Sequence, residues 1–127
     1  MATAITTMPL LEGTFRTGTN EDWADVMYVT QDSVPFDFTD IEFEMVARQS
    51  AENHDAFIPC STANGFLQHW GAEGYFAFRV PEETMRRVPA AVYVFDIVAR
   101  ADGHQIVFLT GTVDVNLGIT REVDVVL

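Results

Sequence analysis

The feature that most constrains the fold of this chain is a period-two alternation of apolar and polar residues in short segments. The clearest example is segment 41–48, in which every second residue is apolar and most of the others are charged. Successive side chains of a β-strand point to opposite faces, so this pattern predicts a strand with one face on a core. Similar patterns predict strands at 23–30, 56–61, 66–70, 75–80, 92–99 and 105–115, and a last edge strand within 119–127.

Turn residues separate the predicted strands about every ten residues. The dipeptides Asn64–Gly65 and Asp102–Gly103 favour two-residue hairpin loops. Pro59 cannot donate a backbone hydrogen bond, so its strand is predicted to be an edge strand or to carry a bulge. Gly111 lies inside an otherwise regular segment and is a plausible bulge site.

One segment has helical features. Segment 81–87 begins with a proline, continues with two acids and ends with two arginines, an order that suits the dipole of a short helix. Seven to nine short strands with one helical turn predict an all-β fold, an antiparallel β-sandwich. A small closed β-barrel is the alternative.

The length of 127 residues corresponds to one domain. Residues 1–13 are rich in threonine and are interrupted by Pro9 and Gly13, so they are predicted to form an N-terminal arm. Residues 14–127 are predicted to form a single β-sandwich domain. Its core is predicted from the inward positions of four strands, and consists of Ile41, Phe43, Met45, Phe76, Phe78, Tyr93, Phe95, Ile97, Ile106 and Phe108.

The charge of the chain is strongly negative. Nineteen acids stand against seven arginines and no lysine, which gives a net charge of −12. Nucleic acids and anionic membranes are bound by clustered lysine or arginine, so neither is an expected partner. The first eight residues contain no basic and no long apolar stretch, so they do not resemble a signal peptide.

Reactive side chains are not clustered at the spacing that catalysis or metal binding needs. The histidines lie in separate segments, at His54, His69 and His104. The acids of 21–25 and 37–40 offer oxygen atoms to Ca²⁺, but without EF-hand spacing, and those of 37–40 are better interpreted as turn residues. Cys60, the only cysteine, is interpreted as an unreactive buried thiol. No catalytic, cofactor-binding or metal site is predicted, and the chain is not expected to be an enzyme.

Asp96 stands in the middle of a predicted strand, between Phe95 and Ile97. If it is buried, its carboxylate must be hydrogen-bonded or paired, because an isolated buried charge is very costly. Arg79 and Arg100 are the candidate partners. We interpret this residue as one that stabilises the sandwich rather than as a functional one.

In the order of four sequence stretches, the chain resembles a family of small proteins from tailed bacteriophages and prophages. It also resembles the N-terminal domain of certain phage baseplate upper proteins. The stretches are Pro35–Asp40 with the strand that follows to Ser50, Ser61–Gly65, Ala91–Ile97, and Leu109–Val113 with Ile119–Arg121. The chain departs from the family pattern at Asp40, where the family often has glycine, and in its first thirteen residues.

The resemblance implies an immunoglobulin-like or related β-sandwich in the virion, assembled in the cytoplasm of the bacterial host. The implied function is a non-enzymatic structural component of the tail, baseplate or neck. Its expected partners are other virion structural proteins, in a homo-oligomeric ring or symmetric array. The alternatives are a capsid decoration protein and a small-molecule or carbohydrate-binding β module. Exposed Trp70 and Tyr75 beside free acids in a cleft would favour the carbohydrate module.

The expected interface has two parts. Residues 2–11 are apolar in places and have no predicted fold of their own, so we expect them to lie against another subunit. The remaining anchors are exposed aromatic residues, which are enriched at protein interfaces. The predicted interface residues are Ile5, Met8, Leu10, Leu11, Trp70 and Tyr75.

Overall fold

A computed structural model describes Ile5 and residues 8–120, and this part of the chain folds mainly as β-strands. Its strands are β1 (Leu11–Gly18), β2 (Val26–Tyr28), β3 (Thr30–Gln31), β4 (Val34–Pro35), β5 (Glu42–Arg48), β6 (Phe57–Ser61), β7 (Leu67–His69), β8 (Tyr75–Phe78), β9 (Ala91–Ala101) and β10 (His104–Asn116). A 3-10 turn (Gly71–Glu73) connects β7 to β8, and a short helix, α1 (Glu82–Met85), lies between β8 and β9.

The strands form a large sheet, a small sheet and a hairpin. The large sheet has the order β1-β10-β9-β5-β6, the small sheet has the order β2-β8-β7, and β3 pairs with β4. Strand β1 runs parallel to β10, from Leu11 opposite Leu109 to Gly18 opposite Asn116. The antiparallel prediction is wrong at this pair, because β1 and β10 are neighbours in the sheet that lie far apart in sequence and are not joined by a hairpin. None of these sheets closes on itself within the described residues, so the closed barrel is not observed there.

Aromatic rings fill the space between the large sheet and the small sheet. Phe76 on β8 packs against Phe43 on β5 and Phe108 on β10, with ring centroids 4.8 and 5.4 Å apart. Phe78, the next inward residue of β8, stacks on Trp23 with centroids 4.3 Å apart. Tilted, edge-to-face and offset-stacked rings are arrangements that aromatic pairs favour. The inward faces of the two sheets therefore share one aromatic core.

The predicted core is confirmed except at Ile106, which is only partly buried. Asp96, by contrast, is exposed on the outward face of β9, so its carboxylate stays in water and needs no buried partner. Arg100 pairs instead with Glu44, with nitrogen and oxygen 2.7 Å apart. The expected stabilising role of Asp96 therefore has no support in the fold.

The dipeptide Asn64–Gly65, one of the two predicted hairpin loops, does not form a hairpin. Strands β6 and β7 belong to different sheets, and the segment between them carries the chain from one sheet to the other. Asn64 builds this corner with its side chain, which accepts from the N–H groups of Ser61 and Phe66 and donates to the carbonyl of Pro59. The other dipeptide is confirmed as a hairpin loop: Asp102–Gly103 has positive φ at both residues and joins β9 to β10.

The bulge positions differ partly from those predicted. Strand β6 is an edge strand with an irregular register against β5, which confirms the interpretation of Pro59. In β10 the register shifts between Val107 and Leu109, so the bulge is not at Gly111. Gly111 is required for a different reason: a Cβ there would lie 2.3 Å from the carbonyl oxygen of Gly13 on β1.

The N-terminal arm is shorter than predicted. Strand β1 begins at Leu11, and Ile5 and Met8 are buried in the shared core, Ile5 with only 2% of its surface exposed. The sequence pattern did not reveal β1, because on its inward side Gly13 and Thr17 interrupt the apolar residues Leu11 and Phe15. The rest of the predicted arm, and most of the predicted last strand within 119–127, lie outside the described residues.

Candidate functional site

Three exposed aromatic side chains form a continuous row across the outward face of the small sheet. Tyr28 on β2 lies directly opposite Tyr75 on β8, with ring centroids 5.0 Å apart. On the other side of Tyr75, the ring of Trp70 stands edge-to-face at 6.1 Å. Tyr28, Tyr75 and Trp70 are 55%, 42% and 41% exposed. We call these three residues the aromatic row.

The alternation of the strands explains why these rings point outward. On β2 and β8, the neighbours Met27 and Phe76 face each other on the inward side and contribute to the core. The residues one position away, Tyr28 and Tyr75, must therefore point to the opposite face. Trp70 directly follows β7 and continues its pairing with β8: the backbone N–H of Trp70 donates to the backbone carbonyl of Tyr75 at 3.1 Å. This pairing places Trp70 beside Tyr75 in the row.

Gly74 makes the close packing at this end of the small sheet possible. Its φ of 81° lies in the left-handed region. A Cβ at Gly74 would lie 2.8 Å from the carbonyl oxygen of Val29 and 3.1 Å from atoms of Tyr28 and Pro35. Glycine therefore allows the β3–β4 hairpin and the ring of Tyr28 to approach the turn before β8.

Apolar and acidic residues border the aromatic row. Val26, on the same face of β2, and Val34, in the β3–β4 hairpin, are both exposed. Two exposed acids stand in the adjacent turns: Asp32 at the tip of that hairpin, and Glu73 directly before Gly74. The ion pairs found among the described residues, Arg86–Glu82 and Arg100–Glu44, involve neither acid.

The structure brings together only part of the predicted interface. Trp70 and Tyr75 are exposed and adjacent, as an interface would require. Ile5 and Met8 are covered by their own chain, so the premise that they need a neighbouring subunit to bury them is wrong. Leu10 is 62% exposed, at a distance in sequence from the aromatic row. Leu11 opens β1 and packs against the core.

Tyr28 was not among the predicted residues. Segment 23–30 has apolar residues on both faces, so its alternation alone does not tell which side is outward. The available signal is its pairing with Tyr75, because directly opposed side chains on neighbouring strands interact. That pairing requires the register of β2 against β8, which is a property of the folded sheet.

The other candidate groups are held in structural roles. Cys60 is buried, and burial raises the pKa of its thiol from 9.0 to about 12, so it stays protonated at neutral pH. The Asp37 carboxylate accepts from the N–H of Thr39 at 2.9 Å, and the hydrogen bonds with Thr39 hold its pKa below the ordinary value. Within the described residues, no three His, Cys, Asp or Glu side chains are grouped as metal ligands.

Comparisons with known proteins add no family. No protein-family model matches the chain, and no curated protein matches it significantly. Among the described residues, no helix has the length and apolar character needed to cross a membrane.

Proposed function

We propose that this chain is a non-enzymatic structural component of a tailed bacteriophage particle, in its tail, baseplate or neck. It acts through protein–protein contacts. The observation that carries this proposal is the aromatic row, which exposes one tryptophan and two tyrosines side by side. The resemblance of the four sequence stretches supplies the phage context, and capsid decoration is the alternative position in the particle.

The proposed fold is an immunoglobulin-like sandwich of the variable type. Such sandwiches place strands B, E and D in one sheet and strands G, F, C and C′ in the other. The order β2-β8-β7 corresponds to B-E-D, and β10-β9-β5-β6 corresponds to G-F-C-C′. Strand β1 lies beside β10, the strand that corresponds to G.

A side-chain contact supports the same proposal. Tyr93, near the start of β9, donates its hydroxyl hydrogen to the carbonyl oxygen of Pro89, four residues upstream. A tyrosine at the corner before strand F, bonded back to the preceding backbone, is typical of these sandwiches. Tyr93 is buried beneath Phe57, whose ring centroid lies 5.3 Å away.

The aromatic row has the composition of a protein interface. Tyr and Trp are enriched at interface centres and among the residues that contribute most binding energy. The three rings are held on paired strands or directly beside them, so little side-chain order has to be gained on binding. In a symmetric array, the row of each subunit can make the same contact with another virion protein.

The test is to find the protein in purified particles. Tailed particles produced by the host strain are purified by density gradient, and their proteins are quantified by mass spectrometry. We expect the chain at the stoichiometry of a structural protein, and the double variant Trp70→Ala/Tyr75→Ala at lower occupancy. Val92→Ala, which changes an exposed residue on the large sheet, is the matched control. Absence of the wild-type chain from the particles would exclude the proposed function.

A carbohydrate-binding module is the second candidate, and the same exposed rings favour it, because sugars stack on tryptophan and tyrosine. The cleft that this function calls for is not formed by the row itself, since its three rings lie across an open sheet face. Titration with oligosaccharides, followed by the emission of Trp70, distinguishes this function from protein contact.

A further inference from the structure

The turns that neighbour the aromatic row carry exposed acids. Asp32 and Glu73 are exposed at the turns beside the rings, and the whole chain carries a net charge of −12. The backbone N–H of Glu73 donates to the backbone carbonyl of Trp70 at 3.1 Å, which holds the backbone of Glu73 beside that of Trp70. Arg79 is exposed on the same face of the chain, but it lies four residues beyond Tyr75, roughly 13 Å along the extended backbone.

We propose that the aromatic row binds an extended, lysine- or arginine-rich segment of a partner protein. Cationic side chains are attracted to the faces of tryptophan and tyrosine, and more strongly once water is excluded. The exposed acids of the neighbouring turns and the negative net charge of the chain strengthen this attraction and steer the approach of the segment. For the identity of the partner as a virion protein, this inference rests on the proposed function.

The spacing of the rings fits an extended segment. Their centroids are 5.0 and 6.1 Å apart along the row. Alternate side chains of an extended chain project to the same side about 6.6 Å apart. The spacing of basic residues at every second position of an extended segment therefore matches the spacing of the rings, whereas consecutive residues of a helix would point to different sides.

The charge balance disfavours a second copy of this chain as the occupant. Two copies would bring together surfaces of the same sign, because each carries −12. On the row itself, aromatic rings and acids would face aromatic rings and acids. A basic partner removes this repulsion and buries the exposed rings at the same time.

The test uses the full-length chain and two fluorescein-labelled peptides that differ only in charge. The basic peptide alternates lysine with serine over about ten residues, and the acidic peptide has glutamate at each lysine position. Fluorescence anisotropy measures the Kd of each peptide. We expect the basic peptide to bind and the acidic peptide not to bind. Raising NaCl from about 50 to about 500 mM should weaken the binding at least about fivefold, because screening shortens the reach of the charges.

Tryptophan emission locates the binding site. The chain has two tryptophans, of which Trp23 is buried and Trp70 is exposed. The basic peptide should therefore change the emission of Trp70, and the change should disappear in Trp70→Phe. An emission change that persists in this variant would place the peptide elsewhere and overturn the proposal.

Substitutions separate the contribution of the rings from that of the acids. Trp70→Ala and Tyr75→Ala should each raise the Kd at least about tenfold, as for central interface aromatics, and Tyr75→Phe should largely keep the wild-type affinity. Asp32→Asn with Glu73→Gln should weaken binding about threefold to tenfold and reduce its salt dependence. Val92→Ala and Asp96→Asn, which change exposed residues of the large sheet, are matched controls and should bind as wild type.

The outcomes separate this inference from the proposed function. Equal binding of both peptides, no binding of either, or an unchanged Kd in the folded Trp70→Ala and Tyr75→Ala variants would each overturn the inference. None of these results concerns the presence of the wild-type chain in particles. Conversely, absence from particles would remove the proposed function, while a selective basic-peptide site on the row would still stand.

Discussion

The outward faces of the two sheets differ, although their inward faces are built alike. On the large sheet, the outward positions combine β-branched residues with charged pairs, such as Arg16 opposite Asp114 and the ion pair of Arg100 with Glu44. On the small sheet, the outward face presents the aromatic row. Both sheets bury aromatic residues on the inward side.

This difference shows which residues the fold requires and which it does not. The charged and β-branched residues of the large sheet suit a strand surface that faces water. The three rings of the aromatic row leave 41% to 55% of their surface exposed, and this exposed area contributes nothing to folding. Binding of a partner would cover the exposed ring area that folding leaves in water.

Removing a ring between the sheets should have the largest effect. Phe43 is 1% exposed and contacts rings from both sheets, including Phe76 and Phe108. Phe43→Ala is expected to lower the free energy of unfolding by about 3–5 kcal/mol through lost burial and a new cavity. Urea denaturation measures this change. A variant as stable as the wild type would show that the two sheets do not share the core described above.

The second-largest loss of stability is expected for a substitution that crowds the contact between β1 and β10. Gly111→Ala would place a methyl group against the carbonyl of Gly13 and the ring of Phe95, and should cost about 2–3 kcal/mol by overpacking. Gly65→Ala is the matched control: its φ is 81°, but the space around it is open, so backbone strain alone should cost about 1 kcal/mol. Amide hydrogen exchange in β1 should accelerate in the first variant only.

Removing one buried hydroxyl tests the corner before β9. Tyr93→Phe keeps the ring against Phe57 but leaves the carbonyl of Pro89 without its donor. The expected loss of stability is about 1 kcal/mol. Thermal unfolding followed by circular dichroism measures it. If the melting temperature did not change, the hydrogen bond would contribute nothing to the proposed immunoglobulin-like fold.

The smallest effect on stability is expected for the aromatic row. Tyr75→Ala removes a cross-strand contact with Tyr28, which should cost about 0.5–1 kcal/mol. Val92→Ala on the large sheet should change stability by less than about 0.5 kcal/mol. Urea denaturation of both variants gives the comparison directly. A loss for Tyr75→Ala as large as that for Phe43→Ala would mean that the row is part of the core after all.

The fold could be predicted from the sequence where alternation is strong. In 41–48 and 92–99 the contrast between the two faces is clear, and strands β5 and β9 are found there. Strand β1 was not predicted, because Gly13 and Thr17 occupy two of its inward positions. Apolar residues at those positions would have completed the alternating pattern that predicts a strand. Its parallel partner could not be predicted either, because local patterns do not report which distant strands pair.

Two of the three residues of the aromatic row followed from residue type, and the third required the structure. Trp70 and Tyr75 are large aromatic residues beside turn signals, which is where exposed anchors are expected. Tyr28 depends on the register of β2. The error at Ile5 and Met8 has a general cause: a short apolar segment looks the same in sequence whether it packs on its own domain or on a neighbour.

The pairing of β1 with β10 also affects how the chain folds during synthesis. Leu11 is synthesised well before its partner Leu109. Until then, β1 has no neighbour in the large sheet, since it is the strand at one end of the order and contacts only β10 there. Pairing over so long a sequence separation is slow, because a large loop must close first. Of the described strands, the first to be translated is therefore the last to enter its sheet, because it has no partner there until β10 has paired with β9.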